Sequence, residues 1–409
     1  MTQLPSTSKR LDYLDAVRAY ALLLGIVFHA SLSFMPIFIG WAVMDISTSD
    51  WIPIFVFISH SFRMPLFFLI AGFFSYRVFI QGDVSSFLKS RLMRLVAPFI
   101  LGWLLLRPLM LSAWTMGAES MRGEVNIGDA LLAGLDAFNG GVGGLFIGTH
   151  LWFLYYLILI SISVIAVCCI INLHAPIKYR VGRFIDSGIS WICGSYLAIF
   201  MTIVPTAACL WFMTHWGIDT PDKSLSPVPS VTFLYAMFFT FGWLLSRQPK
   251  LLDTLSIVTI WRVFLCALSI IAAVILSRFE AQLAHPDYML IKLSFVVSYA
   301  AMMWSLIAIT IGLAKRLFNR PSKTIRYVAD ASYWLYLIHL PMVIVLQVTV
   351  AELAFPWWLK LISICASTLL FSLLAYDIMI RPTWVGAMLN GKRKPGALFN
   401  YIKQLNAVK

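Results

Sequence analysis

A succession of long apolar runs, each near 20 residues, recurs along all 409 residues and limits what this chain can fold into more than any other feature. An α-helix rises about 1.5 Å per residue, so roughly 20 apolar residues cross the ~30 Å hydrocarbon core of a bilayer. Ten such runs fall near 11–37, 52–76, 93–111, 146–171, 189–213, 231–247, 256–277, 291–313, 330–350 and 357–380. Hydrocarbon offers backbone polar groups no water to bond, so runs of this length become helices. The charge content agrees: 12% of the residues are charged, where an ordinary soluble domain carries roughly a quarter. The sequence predicts an all-α, polytopic transmembrane helix bundle of about ten spans with no separable soluble domain.

A formal net charge of +13 would suit a nucleic-acid binder, but its distribution argues against one. Alternate segments between the runs collect Lys9 and Arg10; Arg77, Lys89, Arg91 and Arg94; Lys178, Arg180 and Arg183; Arg247 and Lys250; Lys315 through Arg326; and Arg381 through Lys409, together 22 of the 31 basic residues. The other segments hold only Arg122, Lys223 and Arg278, beside carboxylates such as Asp45, Glu119, Asp129, Asp219 and Glu280. By the positive-inside rule the first set, with both termini, is cytoplasmic. The expected layout is a cytoplasmic segment over 1–10, a ten-span membrane domain over 11–380 and a basic cytoplasmic tail over 381–409. Membrane lipid is the implied partner and nucleic acid is not; anionic lipid or an anionic cytoplasmic ligand are secondary readings of the same charge. Nothing in the sequence speaks to oligomeric state.

The first run is too long for a cleavable signal peptide and contains Arg18 and His29, so it is expected to remain as a span. Cys168, Cys169, Cys193, Cys209, Cys266 and Cys365 lie inside the runs with no metal or disulfide spacing and read as small packing residues. No metal site is expected. The segment from about 112 to 145 is the longest outer loop and carries a glycine-rich stretch, Asn139 to Gly144. It is a candidate contact for an external substrate, or a flexible connector.

Chemistry is best sought among ionisable groups that hydrocarbon makes expensive, since each must be paired or face a cavity. Arg18 and His29 lie in the first run, His60 and Arg63 in the second and His339 in the ninth, with His150 opening the fourth. Arg18 and His29 are eleven residues apart, three helical turns plus roughly 20°, which puts both on one face about 16.5 Å apart along the axis. Asp15 lies three residues before Arg18 and can pair with it, the purely structural reading of that arginine. For His29 the structural reading is a hydrogen bond between helices. Because the second helix returns inward, His60 and Arg63 should stand at the level of His29, and His339 lies near the middle of its span. Several imidazoles and a guanidinium are thus expected in one buried layer, which calls for a polar cavity and invites proton transfer.

These residues carry a resemblance. The segment from Leu11 to Phe34, with Arg18, ten intervening residues and His29, resembles the first span of the acyltransferase-3 family of integral membrane acyltransferases. Phe62-Arg63-Met64-Pro65-Leu66-Phe67-Phe68 through Ala71-Gly72-Phe73-Phe74 is similar to the family's second-span motif, and Arg91 and Arg94, followed by Pro98, to its Arg-x-x-Arg element. His150-Leu151-Trp152-Phe153-Leu154 and Ser332-Tyr333-Trp334-Leu335-Tyr336-Leu337-Ile338-His339 resemble its later signatures. The wording is nearest the branch that succinylates osmoregulated periplasmic glucans. Ala71 stands where many members have Ser, and the chain ends about 28 residues after its last run, without the extracytoplasmic esterase-like domain some members add.

The resemblance implies a bacterial inner-membrane O-acyltransferase that moves a succinyl or acetyl group from cytoplasmic acyl-CoA, its donor substrate, to a hydroxyl of a periplasmic or cell-surface carbohydrate, with no bound cofactor. It assigns catalysis to His29 and Arg18, with His29 as general base and Arg18 binding the donor or stabilising charge at the thioester. Arg91 and Arg94 suit donor phosphates, although topology alone would place arginines there. Arg63 suits a distal acyl carboxylate. His60, His150, Trp152, Tyr333, Tyr336 and His339 are expected to line the substrate cavity; Trp152 also suits an interfacial aromatic belt. Buried His and Arg equally mark a secondary transporter or lipid-linked sugar flippase, which would show matched, broken helices in two halves. No such pairing is visible, and a binding or sensor protein is a third class.

Overall fold

A computed structural model describes residues 11–139, 149–194, 198–221 and 225–397. The helices, numbered in chain order, are α1 (Asp12–Ser31), α2 (Trp51–Ile80), α3 (Val84–Arg91), α4 (Ala97–Ser120), α5 (Ile127–Leu135), α6 (Trp152–Asn172), α7 (Ala175–Gly194) and α8 (Ala198–Trp211). They continue as α9 (Pro229–Arg247), α10 (Pro249–Leu255), α11 (Ile260–Leu276), α12 (Tyr288–Leu317), α13 (Lys323–Val350), α14 (Trp357–Ala375) and α15 (Trp384–Asn390). Among the described residues there is no strand, and nine helical stretches are long and apolar enough to cross a membrane. The run expected as the fifth span, 189–213, holds the end of α7 and the whole of α8, with residues 195–197 between them outside the described residues; Phe200–Trp211 is an apolar helix. The glycine-rich residues 140–144 and the segment 1–10 lie outside the described residues, as does the side chain of Cys193. The other five cysteines are free thiols.

The third and fourth spans enclose more structure than the expected loop. α4 runs on to Ser120, and α5 follows because Asn126 caps it, its side chain accepting from the Asp129 amide at 3.2 Å. α5 packs back on α4, with Gly134 against the Pro108 carbonyl and Ser112.

Helices in lipid gain little from apolar burial against one another, so close approach and hydrogen bonds hold the bundle. Parallel α2 and α9 show the close approach: a side chain at Gly72 would strike the Phe239 backbone, and one at Gly242 the Leu69 backbone. Trp304 of α12 donates to Thr206 of α8 at 2.8 Å, fully buried. The pair that positions the site is α1 and α13, which run parallel. Arg18 donates to Ser332 Oγ (3.3 Å) and the Ala329 carbonyl (3.4 Å) near their starts, and Gln347 Nε2 donates to the carbonyls of His29 and Ala30 (both 3.0 Å) near their ends.

The connection from α1 to α2 folds over the end of this pair. Lys360 of α14 donates to Asp45 at 2.6 Å and to the Ala351 carbonyl at 3.1 Å, and both charged side chains are 1% exposed. A buried pair of this kind fixes one arrangement of the loop, since separating it leaves an uncompensated charge.

Candidate active site

α1 presents His29 to a layer of aromatic and imidazole rings. Its ring lies 5.3 Å from that of His339 on α13 and 5.7 Å from Trp41, stacked at 18°. His150, just before α6, stands 6.1 Å from His339. His339 Nδ1–H donates to the carbonyls of Tyr336 (2.8 Å) and Leu335 (3.0 Å), which leaves Nε2 as the acceptor nitrogen. His150 donates through Nε2 to the Leu337 carbonyl at 2.9 Å. The Nδ1 atoms of His29 and His150 are buried with no hydrogen-bond partner among the described residues. Unsatisfied buried nitrogens are costly, so two in one layer mark a place built to receive something.

α2 adds His60 and Arg63. His60 stacks on Phe28 at 5.9 Å and bonds Thr220 Oγ1 at 2.9 Å. The Arg63 guanidinium lies 4.2 Å from the centre of the Phe28 ring, its residue is 6% exposed, and its Nη1 is buried without a partner. Among the described residues no carboxylate pairs with it. A buried guanidinium in that state is a strong anion acceptor.

A cavity of about 510 Å³ opens on the basic end of the bundle and runs toward this layer. Arg18, Arg77, Arg91 and Arg94 line it, with Ser332 and Tyr333; its walls include Met64, Phe67, Phe153 and Leu157, and among the described residues no Asp or Glu lines it. Arg94 sits in a π-helical segment, Leu92–Val96, whose widened turn frees its carbonyl to accept from Tyr333 Oη at 2.7 Å. Arg91 Nε is buried without a partner, its guanidinium 4.6 Å from the Phe87 ring. At the deep end Tyr336 lines the cavity, donates to the His150 carbonyl at 3.0 Å and stands 6.3 Å from His339. It marks the boundary between cavity and imidazole layer.

Of the residues singled out from the sequence, His29, His339 and His150 share one layer, and Arg63 and His60 flank it through Phe28. Arg18, Arg91, Arg94, Tyr333 and Tyr336 share the cavity. Arg18 also keeps its pairing with Asp15 at 3.6 Å. Trp152 stands apart: its ring stacks on Tyr235 at 5.8 Å and meets Tyr156 at 6.0 Å. Sequence reasoning missed Trp41, Gln347 and Arg77. Gln347 carried a signal, being a polar side chain within a span. It accepts from Trp41 Nε1 at 3.0 Å while donating to the end of α1, so it holds both His29 and the ring stacked on it. Arg77 was absorbed into the topology count, and Trp41 sits in a loop with no periodicity to betray it.

The acyltransferase domain model matches residues 11–377. Curated relatives are proteins named glucans biosynthesis protein C: one from Escherichia coli O1:K1 / APEC and one from Escherichia coli strain K12, each 24% identical over 396 residues, covering 95% of this chain and 96% of theirs. No solved structure matches. With nine spanning-length helices, the ordered motifs and a family match over nearly the whole chain, this protein is a membrane-embedded acyltransferase and belongs to the acyltransferase-3 family.

Proposed function

We propose that the protein is an O-acyltransferase that takes a succinyl or acetyl group from acyl-CoA at the basic end of the bundle and delivers it to a carbohydrate hydroxyl beyond the opposite end. One observation carries this reading: a single helix, α1, joins an arginine-rimmed cavity, through Arg18, to an imidazole layer with free ring nitrogens, through His29. The rim suits phosphates, the apolar walls suit an acyl-bearing arm, and the names of the relatives support a glucan acceptor. In the proposed step His29 accepts the proton of the attacking hydroxyl, the C–O bond of the ester forms, the thioester C–S bond breaks, and the thiol leaves with a proton. Arg18 holds the donor. Arg63, buried without a counter-ion, takes the distal carboxylate of a dicarboxylic acyl group.

The basic end faces the cytoplasm of a bacterial inner membrane on this reading. A reporter fused after Lys409 and a tag near Asn126 should then report opposite sides; finding both on one side would overturn the orientation.

The catalytic test is His29→Ala. Abundance and acyl-CoA binding should stay close to wild type, while turnover falls by the roughly 10² to 10⁴-fold typical of lost acid–base catalysis. Arg18→Ala should weaken acyl-CoA binding as well as turnover, whereas Asp15→Asn should leave binding near wild type. Well-folded His29→Ala protein turning over at the wild-type rate would remove histidine from the mechanism. Equal loss of expression in the Arg18 and Asp15 variants would make that pair structural.

A further inference from the structure

From Arg381 to Ala397 the chain folds back on the bundle. The π-helical segment Tyr376–Ile380 ends α14, and α15 turns back against the bundle, its Asn390 donating to Tyr376 Oη at 2.9 Å. Leu389, 5% exposed, lines the arginine cavity. Gly391 follows at φ 81°, a left-handed conformation that suits glycine, and the Arg94 guanidinium lies so near that a side chain there would strike it. Lys394 then pairs with Asp330 of α13, two residues from Ser332, which also lines the cavity. Its amide donates to the Arg381 carbonyl at 3.2 Å, and Asp377 accepts from the Ala397 amide at 2.8 Å. The segment therefore lies against the cavity wall at Arg94 and is fastened to it beside Ser332. Lys392 and Arg393 fall between these two points, both exposed and neither with an ion-pair partner among the described residues.

We infer that the segment from Leu389 to Lys394 is a working part of the cavity, and that Lys392 and Arg393 bind a phosphate group of the ligand that enters there. The neighbours leave little other use for them at this place. Among the described residues Arg77, Arg91 and Arg94 make no ion pair and no carboxylate lines the cavity, so two further cations on the segment that sets Leu389 into its wall add to a field that an anion relieves. The inference rests on the donor reading above, which makes that anion the nucleotide end of acyl-CoA. An anionic lipid headgroup offers the same phosphate chemistry.

The test uses the full chain in phosphatidylcholine nanodiscs, titrated with coenzyme A and, separately, with a pantetheine thioester lacking the nucleotide. The double variant Lys392→Gln, Arg393→Gln should bind coenzyme A about tenfold more weakly, equivalent to about 1.4 kcal/mol shared by the two exposed charges. Its affinity for the nucleotide-free thioester should not change. Asp330→Asn, which loosens the clamp and keeps both cations, should also weaken coenzyme A binding selectively. Unchanged coenzyme A affinity in a double variant whose parent binds it would overturn the inference and leave the donor reading standing. A parent chain that does not bind coenzyme A would overturn both. A variant that loses only phosphatidylglycerol binding, with coenzyme A affinity intact, would make the pair a lipid contact and overturn the inference as well.

Discussion

Replacing Gln347 with Leu removes three hydrogen bonds of 3.0 Å at once: those to the carbonyls of His29 and Ala30, and the one from Trp41 Nε1. Hydrogen bonds between membrane helices average about 0.6 kcal/mol, so three account for roughly 2 kcal/mol. The His29 carbonyl keeps a second donor, the Leu32 amide, whereas Ala30 loses its Gln347 donor, which can add on the order of 1 kcal/mol. Gln347→Leu should therefore cost about 2–3 kcal/mol, a clear fall in unfolding temperature in detergent without loss of the fold. The effect on turnover should be larger than that implies. Trp41 loses its tether and its stack on His29, and a displacement of about an ångström at a reacting group costs on the order of 10²-fold. Trp41→Ala should reproduce the loss of turnover with less destabilisation, and Trp41→Phe, which keeps a ring but not the N–H, should fall between it and wild type. Thermal unfolding and acyl transfer are measured on the same purified samples. Gln347→Leu protein that unfolds at the wild-type temperature and turns over within about twofold of wild type would refute the tether.

Gly72→Val should cost several kcal/mol, because its side chain meets the Phe239 backbone, which cannot give way as a side chain can; near-normal yield and unfolding temperature would show that α2 and α9 separate freely. Lys360→Met should destabilise by about 3–5 kcal/mol by stranding Asp45, while the double change Asp45→Leu, Lys360→Met should recover most of it, and a double variant no better than the single would deny that the pair acts as a unit. Arg63→Met should impair transfer from a dicarboxylic acyl donor far more than from an acetyl donor, measured as the ratio of the two rates; equal losses would make Arg63 structural.

Much of the imidazole layer was legible because hydrocarbon makes charge and imidazole conspicuous: His29, His60, Arg63 and His339 each announced themselves by occurring where an apolar residue costs less. The common direction of α1 and α13 was legible as well, since both start at the basic end, but their packing against one another was not. What escaped notice was neutral or lay in a loop. Gln347 carries no charge, and Trp41 lies in a loop that the Asp45–Lys360 pair pins, a contact between residues 315 positions apart. Arg77 was hidden by abundance, since the positive-inside rule explains any arginine at that end. Trp152 erred the other way: its place beside His150 in the chain suggested the cavity, but the helix turn points it at Tyr235.

Helix α1 also works as a measuring rod. Arg18 in the cavity rim and His29 in the imidazole layer are fixed on one rigid element, about 16.5 Å apart along its axis, and α13 grips both ends of it through Ser332 and Gln347. Neither end moves relative to the other without breaking a helix. On the proposed function, a donor held at the rim reaches His29 only if its reactive carbon hangs from an arm of about that length. Selection among donors becomes a matter of reach before it is one of chemistry: a shorter arm leaves the thioester short of the histidines, among Phe67, Phe153 and Tyr336, where no general base meets it. Turnover compared across donors of graded arm length reads the rod directly, and a flat response would show that the two ends are not joined by one extended ligand.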